Sequence, residues 1–207
     1  MLASDPEIGI WRSLYLWAVR RVPDQGPGVR AFPYSRDVVP IMGAFIFVSV
    51  LELPVVHLLL PCETVRLVAD ALSIWGLLWM VGFLASRRVF PHLLDDDGLR
   101  IRCGTTVDIA VPWEAIASVT SRRRSVPMRR TVSGKSGDYG SVVNVAVVKQ
   151  TKVGVVLQWP TTVELPGGTR EATELRLYVD DPRAFVTAAR ERLTERRAVE
   201  RATTSSR

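Results

Sequence analysis

A chain of 207 residues has room for one soluble domain of ordinary size and a few membrane segments. Its formal charge of +6 admits an anionic partner, but arginine outnumbers lysine 24 to 3 and is spread over three regions. That is the usage of a GC-rich bacterial genome and not a nucleic-acid-binding stripe, so no nucleic acid is expected as a partner.

Met1 to Ile10 is acidic, with no basic residues before an apolar run, so no cleavable signal peptide is expected. Gly9 to Val22 mixes Trp11, Leu14, Tyr15 and Trp17 with Arg12, Arg20 and Arg21. The stretch is too short and too charged to span, and Pro23 with the Gly26-Pro27-Gly28 turn ends it. Two readings stand. One is an interfacial helix whose rings (Trp11, Trp17) and arginines (Arg12, Arg20, Arg21) sit among anionic headgroups. The other is a helix packed on the soluble domain.

Val38 to Leu60 is an apolar run interrupted by Glu52 and His57, and Leu67 to Ser86 is a second with only Asp70 charged. A hydrocarbon core of about 30 Å needs about 20 helical residues, so both are long enough to cross it. Pro61 to Thr64 is a tight connector and forces an antiparallel hairpin. A buried helix pair in a soluble fold is the bland alternative. Arg12, Arg20, Arg21, Arg30 and Arg36 precede the first run and Arg87 and Arg88 follow the second, against Arg66 alone on the connector side. Positive flanks stay inside, so the expected topology is two spans in a bacterial plasma membrane with both termini cytoplasmic. Cys62 and Cys103 then lie on opposite sides and cannot pair, and no Cys/His cluster points to zinc.

Ionisable residues inside a span are costly unless paired. At the helical rise, His57 lies about 12 Å outward of its helix midpoint and Asp70 about 10 Å; Glu52 and Ser73 both lie about 5 Å outward. The depths therefore match His57 to Asp70 and Glu52 to Ser73. Pro54 frees a carbonyl between Glu52 and His57, and a kink is expected there. Glue for the hairpin, or between it and a partner, is one role for Glu52, His57, Asp70 and Ser73. A proton relay or an outward-facing metal or ligand site is the sharper one. A two-helix hairpin has no interior in which to hide a charge, so a second copy or another membrane protein is expected as a partner.

From about Val89 the pattern changes to short alternating segments. Leu99 to Cys103, Val107 to Val111, Ala117 to Thr120, Ser141 to Gln150, Lys152 to Trp159, Thr161 to Leu165 and Leu175 to Val179 read as strands, with Trp159 before Pro160 ending one of them. A helix follows, capped by Asp180 or Asp181, with Pro182 in its first turn and Phe185, Val186, Ala189 and Leu193 at helical spacing. The expected fold is a membrane α-helical hairpin plus a mainly-β (α+β) domain: a curved antiparallel sheet of six or seven strands plugged by the C-terminal helix. The boundaries are residues 1–37 for the N-terminal segment, 38–88 for the hairpin, 89–195 for the domain and 196–207 for a disordered tail. His92 reads as a linker residue, Trp113 as packing before ligand stacking, and Gly167-Gly168 as a turn without the context of a phosphate loop.

Three motifs in this half point to a family: Asp97-Gly98-Leu99 leading into the first strands, Pro112-Trp113 with Ile116, and Asp181-Pro182 with Phe185. Asp95 to Val119 together with Val179 to Leu193 resembles the bacterial pleckstrin-homology-like (PH-like) domains, over about half the chain. The resemblance implies a membrane-tethered interaction or lipid-facing module without enzymatic activity, and it carries over no site residues.

Ser121 to Gly137 holds Arg122, Arg123, Arg124, Arg129, Arg130 and Lys135 and no acidic residue. Near a bilayer such a loop attracts anionic headgroups at about 1 kcal/mol per basic residue; as a solvated, partly disordered loop it only favours solubility. His57 and His92 are the only histidines, and nothing pairs a nucleophile with a base, so neither catalysis nor a cofactor or metal is expected. The expected function is a membrane-anchored PH-like scaffold at the cytoplasmic face, contacting anionic lipid or a protein. The alternative is an accessory subunit of a transport or envelope complex, with Glu52, His57 and Asp70 mediating assembly or a proton or ligand site.

Overall fold

The structure, a computed structural model, describes residues 6–20, 26, 28–125, 132–137, 140–145, 150–165 and 168–205. Four helices and nine strands occur among them: α1 (Pro6–Ala18), β1 (Arg30–Phe32), α2 (Val38–Leu59), α3 (Glu63–Val89), β2 (His92–Leu94), β3 (Gly98–Cys103), β4 (Val107–Pro112), a 3-10 turn (Trp113–Ala115), β5 (Ile116–Ser125), β6 (Val132–Gly137), β7 (Gly140–Val145), β8 (Gln150–Leu165), β9 (Gly168–Leu177) and α4 (Pro182–Ser205). The fold is mixed α+β.

α2 and α3 are each long and apolar enough to cross a membrane. No residue of α2 is buried, whereas a core helix of a soluble fold would be mostly buried. Past its first turn the half-buried positions of α2 are Met42, Gly43, Ile46, Ser49, Leu53 and Val56. Their alternating three- and four-residue spacing is the seam along which an antiparallel helix packs, and α3 lies against it. Pro54 sits inside the helix.

The soluble part is two sheets, not the single antiparallel sheet the alternation predicts. One has the order β1-β2-β3-β4 and the other β5-β8-β9-β7-β6. All pairings are antiparallel except β7 with β9, which run parallel from Val142↔Glu174 to Val145↔Leu177. A non-local parallel pair leaves no trace in local alternation, and neither does the division of strands between sheets. β8 is also longer than expected: it runs through Trp159 and Pro160, with a register shift between Val156 and Thr161. A bulge is where a strand tolerates a proline, which has no N–H to give the ladder.

Both sheets and α4 close on one core. β4 turns Val107, Ile109 and Val111 inward and Asp108, Ala110 and Pro112 outward. Leu99 and Ile101 from β3, Val153 and Val155 from β8, and Leu175 and Leu177 from β9 meet them, and α4 adds Phe185, Val186, Ala189 and Leu193. Removing a fully buried ring such as Phe185 costs about 3–5 kcal/mol. Trp113 is core, as expected, with its indole N–H donating to the Asp95 carbonyl at 3.0 Å. Asp181 caps α4 through Oδ1, which accepts the N–H groups of Arg183 and Ala184 at 3.1 and 3.0 Å.

Two expected boundaries move. β1 pairs with β2 in the register Arg30↔Leu94 to Phe32↔His92, so the soluble sheet begins before the hairpin and not at residue 89. The whole hairpin is an insertion between two neighbouring strands. The tail expected to be disordered extends α4 as far as Ser205.

Candidate functional site at the hairpin foot

Both ends of the hairpin are fastened to the soluble domain. At the entrance, the Asp180 N–H donates to the Pro33 carbonyl at 2.9 Å, and the Asp180 carboxylate accepts from the backbone N–H groups of Ser35 and Arg36 at 3.0 to 3.2 Å. Of the two aspartates offered by the sequence as helix caps, Asp181 serves α4 and Asp180 holds the entrance to α2. At the exit, Ala85, Ser86 and Val89 of α3 are buried, and Arg87 and Arg88 stand in its last turn, where cations suit the helix dipole.

Between entrance and exit lies a buried polar cluster. Tyr34 accepts the Gly104 N–H at 2.6 Å, and its ring lies against His92 at 4.7 Å. His92 is not a linker residue. It is buried in β2, where Nδ1 accepts the Arg102 N–H at 3.1 Å and Nε2 donates to the Tyr178 carbonyl at 3.0 Å. Burial first, and the Arg87 charge after it, lower its pKa to about 4. Arg87 reaches the Cys103 sulfur at 3.3 Å and stacks over Phe83 and Tyr34. Burial pushes the Tyr34 phenol and the Cys103 thiol up, so both stay neutral. Cys103 is buried, Cys62 is exposed, and both are free thiols.

Of the basic segment, Arg122, Arg123 and Arg124 belong to the end of β5 and not to a loop. The reason is the ladder to β8, in which Arg124 faces Thr151 and Ser125 faces Gln150. Arg123 donates twice to Gln150 Oε1, at 3.0 and 2.8 Å, and Arg124 pairs with Glu174 at 2.8 Å. Hydrogen bonds from Arg176 first, then the charges of Arg176 and Arg124, hold the Glu174 carboxyl below its usual range against desolvation. Lys135 lies in the β6 backbone, and Arg129 and Arg130 fall outside the described residues.

This strand end sits beside the entrance to α2. Lys152, one residue beyond the partner of Arg124, donates to the Tyr178 hydroxyl at 2.8 Å and lies over its ring. Asp37, the residue that precedes α2, and Arg123 are both close enough to act on the same hydroxyl electrostatically. Burial first, and Asp37 next, push the Tyr178 phenol up. Arg36, Arg123 and Lys152 therefore meet at the entrance to α2, Arg122 and Arg124 adjoin Arg123 along β5, and Arg87 and Arg88 stand at the exit. Sequence reasoning missed Tyr34, Lys152, Tyr178 and Asp180. The doubled aspartate was the one signal available.

Of the polar residues along the hairpin, one expected pair forms. His57 Nδ1 lies 2.7 Å from Asp70 Oδ2. The Glu52–Ser73 bond does not form, and Glu52 is exposed without a hydrogen-bond or ion-pair partner among the described residues. Five residues are about 140° of helix, and the seam through Leu53 and Val56 runs between Glu52 and His57. They stand on opposite flanks of it.

α1 packs across α3. Gly82 leaves the space that Ile10 fills, Gly9 lies against Thr105 of the β3–β4 turn, and the Trp11 and Trp75 rings are 4.9 Å apart. Ile10 and Ser13 are buried, while Arg12, Tyr15, Trp17 and Arg20 are exposed. One face is thus a packed helix, and the other keeps the rings and arginines of the interfacial reading. Arg21 lies outside the described residues.

Among the described residues no group of three or more His, Cys, Asp or Glu side chains is placed to hold a metal ion. Comparison with protein-family models, with curated proteins and with solved structures returns no match.

Proposed function

We propose that the chain is a membrane-anchored interaction module. α2 and α3 span a bacterial plasma membrane, both termini lie in the cytoplasm, and the domain rests on the inner face through its basic end. The observation that carries this reading is the meeting of Arg36, Arg123 and Lys152 at the entrance to α2, with Arg122 and Arg124 next to Arg123 on β5 and Arg87 and Arg88 at the exit of α3. Positive residues favour the cytoplasmic side, and each one near an anionic surface contributes about 1 kcal/mol. Only Arg66 lies near the opposite tip. The exposed Tyr15 and Trp17 of α1 suit the same interface.

A PH-like fold for the domain is part of the proposal. The Asp181-Pro182-Phe185 helix start, with Phe185 buried in the core of two sheets, supports it; the parallel β7–β9 pair departs from an all-antiparallel design. The role is contact and not catalysis.

The experiment is hydrogen exchange of the full-length protein in vesicles with and without anionic lipid. Amides of Ser121 to Ser125 are expected to gain protection with anionic lipid and to lose it in high salt. Replacing Arg122, Arg123 and Arg124 by Gln is expected to abolish the lipid-dependent gain. Equal exchange in neutral and anionic vesicles would sink the lipid contact.

A further inference from the structure

α2 forms the edge of the helical layer. α3 is covered by α1 on one side, where Ile10 fills the space at Gly82, and by α2 along the seam. About 100° around α2 from that seam runs a second stripe with the same alternating three- and four-residue spacing: Phe45, Val48, Glu52, Val55 and Leu59, all exposed. Glu52 is its central member.

Building on the reading that α2 crosses a bilayer, we infer that this stripe is a self-association face. Two copies pack α2 against α2 about a two-fold axis, and the Glu52 side chains of the two copies meet. An ionisable group in hydrocarbon is costly alone; His57 and Asp70 pair through Nδ1 and Oδ2, whereas Glu52 has no hydrogen-bond or ion-pair partner among the described residues. Lipid offers a carboxyl group no hydrogen-bond partner, whereas the same group of a second copy does. A second copy brings that group to the same depth on the same stripe. The stripe that carries Glu52 meets the same stripe of the second copy, so the contact is of one surface with itself. Such a contact closes as a dimer and does not propagate.

The test uses full-length protein in phospholipid vesicles. Retention after an alkaline wash is measured first, and its loss would overturn the membrane reading and this inference with it. In a Cys62→Ser background, oxidation is expected to link copies through Val48→Cys and Val55→Cys but not through Phe47→Cys or Leu58→Cys, which point away from the stripe. With dyes on Cys62, the exposed thiol beyond α2, energy transfer between copies gives the dissociation constant. Glu52→Leu is expected to raise it about tenfold, the scale of an interhelical hydrogen bond in a membrane. Glu52→Gln, whose amide also pairs with itself, is expected to keep it near the wild-type value. Cross-linking that is equal at all four positions, a wild-type constant for Glu52→Leu, or a monomer at every protein-to-lipid ratio would overturn the pairing and leave the membrane reading standing.

Discussion

Tyr34 accepts a 2.6 Å hydrogen bond from the backbone N–H of Gly104, and this bond fastens the segment that enters α2 to the turn between β3 and β4. The phenol is buried, so no bulk water replaces the acceptor if it is removed. Tyr34→Phe is expected to cost about 1–3 kcal/mol, the range for a donor left unsatisfied away from water. Thermal unfolding of the purified protein would show this as a lower Tm. An unchanged Tm would mean that the hairpin entrance is held by Asp180 and the β1–β2 pairing alone.

His92 makes the domain acid-sensitive. Its pKa falls from 6.5 to about 4 on folding, so between those values the unfolded chain binds a proton that the folded chain refuses. Stability is therefore full above about pH 6.5 and declines as pH drops toward about 4, by on the order of 3 kcal/mol. Denaturant unfolding across this window should show the slope, and His92→Gln should flatten it while lowering stability at neutral pH. A wild-type slope in the His92→Gln protein would assign the acid sensitivity to carboxylates instead.

Glu174 restrains part of the basic end. Its carboxylate pairs with both Arg124 and Arg176 at 2.8 Å. Glu174→Gln releases Arg124 and Arg176 and adds one net positive charge on the sheet that carries the β5 arginines. Lipid-dependent protection of Ser121 to Ser125 is then expected to persist to higher salt than in the wild type. Folding stability should change by no more than about 1 kcal/mol, because the ion pairs are partly solvated. Protection that weakens would argue that Glu174 positions Arg124 for contact and does not compete for it.

Gly82 is the seat of α1. A β-carbon there would collide with the Ile10 side chain, and the neighbouring Ile10 backbone limits any shift. Gly82→Leu is expected to displace α1 and cost about 1–3 kcal/mol by overpacking. Exchange protection across Pro6 to Ala18 should fall while β3 and β4 keep theirs. Loss of protection throughout the domain would instead make α1 part of its folding core.

Local sequence signals specify structure where the physics is local. The three residues Asp181, Pro182 and Phe185 marked the start of α4, because a cap, a fixed φ and an apolar period act within one turn. The strands β3 and β4 followed from strict alternation. His57 and Asp70 were matched by depth alone, since the helical rise and a tight connector determine which levels of a hairpin face each other. Glu52 failed the same test against Ser73: depth matched but azimuth did not, and azimuth depends on which stripe packs. Polar composition predicts a loop at Arg122 to Arg124, and the ladder from Arg124 and Ser125 to β8 overrides composition with backbone hydrogen bonds. His92 reads as a linker residue from the sequence for a similar reason: its partners are Arg102 in β3 and Tyr178 just past β9, both distant in the chain.

By itself the sequence determined that two long apolar helices form a hairpin, that a mainly-β region and a capped helix follow, and that positive charge flanks the hairpin on one side. These depend on run length, period and composition, which are summed along the chain. Only the tertiary structure decided that the hairpin is inserted between β1 and β2, that Asp180 and Tyr34 clamp its entrance, and that the arginines of β5 end beside it. Each of these joins residues far apart in the chain, and strand pairing and burial select such partners by the shape and chemistry of surfaces that exist only once the core has closed.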